Sequence, residues 1–105
     1  MELRQIKYFM EVAKREHMTE AANELHVAQS AVSRQIVNLE EELGIKLFIR
    51  EGRRVRLTPI GRIFLEKIEN AINMIDNAKQ VIDEYIDPER GTIRIGFTSS
   101  LASYI

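Results

Sequence analysis

Three short helices, a two-stranded hairpin and one long helix, together a mainly α architecture, are predicted for this chain by three observations. Apolar residues recur at helical spacing from Leu3 to Leu43 with two short interruptions. Between Leu47 and Leu57 the period changes to a short apolar run and strand-like alternation. Helical spacing then resumes from Pro59 to about Tyr85 without a break.

The first helix starts at Leu3. Leu3, Ile6, Phe9, Met10, Val12 and Ala13 mark its apolar side, Arg4, Lys7, Glu11 and Lys14 the other, and it ends near Glu16 or His17. Thr19 is the expected N-cap of a second, shorter helix that buries Ala21, Ala22 and Leu25 and stops near His26. A third helix is expected from Ala28 or Gln29 to Leu43, with Ala31, Val32, Ile36, Leu39 and Leu43 turned inward and Gly44 as its stop. Leu47 to Ile49 and Val55 to Leu57 are the two strands, joined by a turn containing Gly52. Thr58 and Pro59 then repeat a helix start, because proline at the first helical position gives up an N–H that has no partner there. The long helix spans on the order of 40 Å at 1.5 Å per residue, and Asp87-Pro88 ends it. GTIRIGFT, Gly91 to Thr98, alternates like a strand whose sheet lies elsewhere. The expected division is residues 1–58, a winged helix-turn-helix; residues 59–87, a linking and dimerisation helix; and residues 88–105, the start of a truncated further domain.

Composition narrows the function. Of the 105 residues, 45% are hydrophobic and 30% charged, as expected for a globular protein in water, and no apolar run approaches the roughly 18 residues of a membrane span. The start, MELRQIKYF, lacks the pattern of a secretory signal, so a cytoplasmic location is expected. The absence of cysteine excludes disulfides, thiolate zinc sites and cysteine nucleophiles. The net charge of -1 is not that of a basic nucleic-acid binder, but its distribution is uneven. Lys46, Arg50, Arg53, Arg54, Arg56 and Arg62 fall in one stretch opposed only by Glu51, which suits a phosphate partner.

Two short helices joined by a tight turn form the arrangement that places its second helix in the major groove of DNA. With the apolar side of the third helix inward, Gln29, Ser30, Ser33, Arg34, Val37 and Asn38 lie opposite or on its flanks. Glutamine can bond adenine in a bidentate way and arginine guanine, while serines reach phosphates or bases. Arg53 and Arg54 flank a turn suited to a minor groove, with Arg50 and Arg56 on its strands. On the long helix Phe64, Ile68, Ala71, Ile75, Ala78, Ile82 and Tyr85 recur at alternating steps of four and three, a heptad seam for pairing two copies. Leu65 and Ile72, off that seam, are placed to pack back on the rest of the chain.

The ordered features AAxxLHVAQSAVSRQIxxLEEELGxxLFxR, the basic hairpin and LTPxG resemble the N-terminal domain of the LysR-type transcriptional regulators over nearly the whole chain. The resemblance implies a sequence-specific regulator of double-stranded promoter DNA, with Gln29, Ser30, Ser33 and Arg34 as groove or phosphate contacts. It also implies Arg50, Arg53 and Arg54 as wing contacts and Thr58 as a contact to the DNA backbone. A homodimer through the long helix follows, and for an intact protein of near three times this length a tetramer and a periplasmic-binding-protein-like domain for a small-molecule effector. Thr98, Ser99 and Ser100 would start the effector loop, and no cofactor is expected in this segment. Many members carry Thr and Pro where this chain has Ala28 and Ser30. LHVAQSAVSRQI and DEYIDPERGTIRIGF look closest to regulators of glutamate synthesis and central carbon metabolism in Gram-positive bacteria.

Each feature has a plainer reading. The polar face of the third helix could be merely solvated, the arginines could guard a strand edge, and the heptad stripe could be packing within one chain. Glu40, Glu41 and Glu42 read most simply as a solvated helix surface, and no carboxylate pair suggests acid and base work. His17 and His26 have no ligand spacing and read as helix-end or turn residues. A protein-interaction module that touches no nucleic acid is the competing class, whereas an enzyme would need a pocket with convergent catalytic groups.

Overall fold

In the computed structural model, which describes residues 1–87, helix α1 (Leu3–Arg15) buries Phe9, Val12 and Ala13 and leaves Leu3 exposed. A polar residue, Gln5, is also buried on that side. Its amide donates to the Gln35 carbonyl at 3.3 Å, which ties α1 to helix α3 (Gln29–Leu43). Helix α2 (Met18–Leu25) is capped by His17, whose Nδ1 accepts from the Glu20 amide at 3.2 Å. The expected cap, Thr19, lies instead inside the first turn, because Met18 is drawn into the core and the helix begins one residue before Thr19.

The turn between α2 and α3 is short because His26 takes the left-handed conformation, φ 59°, and sends Val27 back so that its amide donates to the Ala22 carbonyl at 3.1 Å. A side chain with a Cβ pays a steric cost there that glycine does not. His26→Gly is therefore expected to stabilise the domain by about 0.5–1 kcal/mol, read as a higher urea midpoint at unchanged slope. A lowered midpoint would mean that the imidazole makes a compensating contact.

Within α3, Val32, Ile36 and Leu39 are fully or nearly fully buried. Two expectations for this helix are corrected. Ala31 is exposed, since the inward stripe begins at Val32. Glu40 is buried rather than solvated, and its Oε2 accepts from the amides of Leu47 at 2.7 Å and Phe48 at 3.2 Å. Glu41 and Glu42 remain exposed. Gly44, at φ 73°, ends the helix as expected.

Strands β1 (Phe48–Glu51) and β2 (Arg54–Leu57) pair antiparallel with Glu51 opposite Arg54, so the loop between them is only Gly52 and Arg53. Gly52 has φ 63° and Arg53 a negative φ, the glycine-first pattern of a tight hairpin. A bridge absent from the sequence reading joins His17 to Arg54, with the Val55 amide donating to the Glu16 carbonyl at 3.1 Å. The hairpin is thereby stitched to the link between α1 and α2.

Helix α4 runs Pro59–Ile86. Thr58 caps it by accepting from the Gly61 amide at 3.0 Å, while its hydroxyl donates to the Lys46 carbonyl at 2.7 Å. Phe9 is the hub of the core, with ring centroids 5.4 Å from Phe48 and 5.1 Å from Phe64. The architecture is thus a winged helix-turn-helix followed by a long helix, as the periodicity predicts. The chain divides into two compact units, Met1–Glu69 and Asn70–Ile105. The first turns of α4 belong to the former because Phe64 and Leu65 pack against its core. Gly91 to Thr98, Ser99, Ser100 and the expected further domain at 88–105 lie outside the described residues.

Candidate nucleic-acid interface

The side of α3 opposite its buried stripe carries the polar residues picked out in the sequence. Ser30, Arg34 and Asn38 are exposed there, Gln29 is exposed at the start of the helix, and Ser33 is half-buried on the flank. Val37, 41% exposed, sits among them as an apolar patch of the size a thymine methyl fits. No side chain caps the first turn of α3, because its N-cap is Ala28. The leading amides of the helix, with the positive end of its dipole, are thus presented to whatever anion approaches.

The hairpin stands beside this face. Arg50 on β1 reaches across, and its Nη2 donates to Ser33 Oγ at 3.2 Å. That contact brings the helix and wing candidates into one surface. It also fixes the serine as an acceptor toward the wing, which leaves the hydroxyl proton free for an outside acceptor.

Beyond Arg50, the arginines differ in their surroundings. Among the described residues Arg34 and Arg53 have no ion-pair partner. Arg54 lies 3.8 Å from Glu16 and Arg56 3.5 Å from Glu51, all four side chains being largely exposed. Exposed pairs of this kind hold a side chain by only about 0–1 kcal/mol, so a phosphate can recruit either arginine. Arg15 is different. Its Nε is 2.6 Å from Glu11 and its Nη2 3.5 Å from Glu24, and the hydrogen bond to Glu11 raises its pKa above the usual arginine range. It is committed to carboxylates and is no part of the basic surface.

Thr58 is half-buried at the foot of the wing. Its hydroxyl proton goes to the Lys46 carbonyl and its backbone amide to the Leu47 carbonyl at 2.9 Å, so both of its donors are engaged inside the chain.

Of the heptad seam, Phe64 and Ile68 are covered within the single chain, Phe64 by its ring contact with Phe9 and Ile68 at 7% exposure. Ala71, Ile75, Ala78, Ile82 and Tyr85 are open, Tyr85 at 83%. Further large apolar residues that the heptad reading passed over, Ile60, Ile63, Met74, Val81 and Ile86, are open as well. Ile60, Ala71 and Ile82 follow one another at eleven-residue steps, as do Ile63, Met74 and Tyr85. An eleven-residue period stays on one face of a nearly straight helix better than a heptad does. The signal was in the sequence, but choosing between the two stripes needed the knowledge that Phe64 packs on its own core and that Ile68 is already buried within the single chain.

A shallow groove between the hairpin and the start of α4 is lined by Ile49, Leu57, Pro59 and Ile63. Among the described residues no cluster of three histidine, aspartate or glutamate side chains could hold a metal ion, and no helix is long and apolar enough to cross a membrane.

Residues 3–62 match the model of the bacterial regulatory helix-turn-helix proteins of the lysR family. The chain is 65% identical over 105 residues to the transcriptional dual regulator GltC of Bacillus subtilis, covering all of this chain and 35% of that protein. It is 45% identical over 103 residues to the HTH-type transcriptional regulator BenM of Acinetobacter baylyi, covering 96% of this chain and 33% of that one. It therefore spans about a third of the length of these relatives. Among solved structures, the BenM DBD in complex with benA site 1 DNA superposes with a TM-score of 0.78 at 39% identity, covering 83% of this chain and 98% of that one. The CbnR DBD–DNA complex gives a TM-score of 0.72 at 36% identity, covering 90% and 100%.

Proposed function

The chain belongs to the lysR family of bacterial regulatory helix-turn-helix proteins, and on that premise we propose that it is the DNA-reading and dimerising part of a sequence-specific transcriptional regulator. The observation that carries this reading is the single surface made by the exposed polar side of α3 and the basic hairpin, joined through Arg50 and Ser33. In it α3 lies in the major groove of promoter DNA, with Gln29 and Arg34 at base edges and Ser30 and Ser33 at phosphates or bases. Arg50, Arg53 and Arg54 grip the neighbouring minor groove or backbone. Thr58, which caps α4, completes the proposed set as a contact to the DNA backbone beside the wing. Two copies pair through the open stripe of α4, which presents two recognition helices to one face of the duplex.

For the whole protein the reading extends to a small-molecule effector bound outside this segment, a tetramer, a cytoplasmic location and no enzymatic activity. The 65% identity with a Bacillus subtilis transcriptional dual regulator supports the subgroup read from the sequence, Gram-positive regulators of glutamate synthesis and central carbon metabolism.

Arg34→Ala is expected to lower affinity for the selected duplex by about 5- to 150-fold, roughly 1–3 kcal/mol, and to relax discrimination at one base pair. Arg53→Ala should weaken selected and random duplexes alike and flatten the salt dependence. Fluorescence anisotropy at several salt concentrations measures both. Equal losses on selected and random DNA for Arg34→Ala would remove its base-reading role, and no binding to any duplex would remove the function.

A further inference from the structure

Lys46–Phe48 is three residues long, yet it is claimed from two directions. From α3, the buried Glu40 carboxylate accepts from the Leu47 and Phe48 amides with one oxygen. From the start of α4, the Thr58 hydroxyl donates to the Lys46 carbonyl and the Thr58 amide to the Leu47 carbonyl. Gly61 completes the clasp, since its backbone lies against the same Leu47 carbonyl. The core side of Leu47 is fully buried, so the segment is anchored as well as clasped.

The placement matters because of what the two helices do. Helices α1, α2 and α3 pack broadly on one another, whereas α4 meets their core through side chains that include Phe64 and Leu65 and through this clasp. Side-chain packing on one edge leaves a helix free to pivot; directed hydrogen bonds at its start remove that freedom. A buried carboxylate that satisfies two amides is also the arrangement least tolerant of loosening, because both donors lose their partner together.

We propose that Glu40 and Thr58 are positioning residues that lock the recognition helix to the pairing helix, and that this lock sets the half-site spacing the dimer accepts on DNA. The proposal rests on the dimeric DNA-reading function above. A two-fold dimer reads two half-sites about one helical turn apart, and each added base pair rotates one half-site by about 35° around the duplex. A rigid link between reading and pairing helices cannot follow that rotation, while a loosened one can.

The test uses the full chain and a duplex selected with it from a random-sequence pool, together with the same duplex lengthened at its centre by two base pairs. The wild-type chain is expected to lose about 30-fold or more in affinity on the lengthened duplex, and Glu40→Ala less than about 5-fold, as its link accommodates the rotation. Glu40→Gln keeps an acceptor oxygen for both amides and is expected to restore the wild-type preference. Merely lowered stability would weaken both duplexes equally and leave their ratio unchanged, so the ratio is the readout. A folded Glu40→Ala that keeps the wild-type ratio overturns the proposal. Should that variant not fold, Thr58→Val, which removes the hydroxyl at nearly constant shape, is read in the same way, and retention of the wild-type ratio is again fatal. If the wild-type chain selects no duplex, the DNA-reading function itself fails; if it selects one but tolerates the insertion, only the lock does.

Discussion

Gly61→Ala is expected to destabilise the domain by more than about 3 kcal/mol, a large share of the 5–15 kcal/mol that holds an ordinary domain folded. A methyl at this position would overlap the Leu47 carbonyl oxygen and press on the Thr58 hydroxyl. Neither neighbour can step aside. The carbonyl is held by the Thr58 amide, and the hydroxyl is the N-cap of α4 and the donor to Lys46. Relief requires α4 to lift from the core, taking Phe64 away from Phe9. Thermal unfolding followed by circular dichroism should show the midpoint falling by at least about 10 °C, given the 4–8 °C per kcal/mol usual for domains of this size. Gly52→Ala makes the useful contrast. No atom lies within 4 Å of the added methyl, so only the positive φ is penalised, at about 1 kcal/mol. A midpoint for Gly61→Ala as high as that of Gly52→Ala would refute the close approach.

Ile75→Asp is expected to convert the dimer to a monomer and to lower affinity for a two-half-site duplex by about 100-fold or more, since the second half-site is then no longer delivered by the first. Ile75 is 53% exposed on α4 in the single chain, so the substitution leaves the helix-turn-helix core untouched. A buried carboxylate in the centre of an apolar seam, by contrast, carries an uncompensated desolvation cost in each copy. Sedimentation velocity reads the mass and anisotropy the affinity. An unchanged dimer mass would take this face of α4 out of the interface.

The periodicity of the sequence carried most of the fold. Helix α3 begins and ends where Ala28 and Gly44 place it, and the hairpin falls where the period changes, because the core is a local record of which residues are apolar. Most of the misreadings involve a partner outside the element itself. Glu40 looks like its neighbours Glu41 and Glu42 in a run of three, and only the return of Leu47 and Phe48 beneath the end of α3 makes it an internal acceptor. Thr19 is the better cap by residue type, but Met18 is held in the core and the helix starts at that residue. Ala31 is apolar but lies off the helical stripe of Val32, Ile36 and Leu39, so it faces outward. Along α4 two stripes overlap, and the sequence could not say that Phe64 was already spoken for by Phe9 or that Ile68 was buried within the single chain. The candidate interface was easier to read than the clasp, since groove-reading side chains must be polar on a face that is otherwise unneeded, while a clasp is made between different elements and leaves no periodic mark.

The bridge between His17 and Arg54 gives the wing a property that a free hairpin lacks. Because Val55 is fastened to Glu16, the strands arrive at a duplex already shaped, and only the Gly52–Arg53 tip and the arginine side chains have conformations left to surrender. Little of the attraction between arginine and phosphate is then spent on ordering the chain, and more of it remains as affinity.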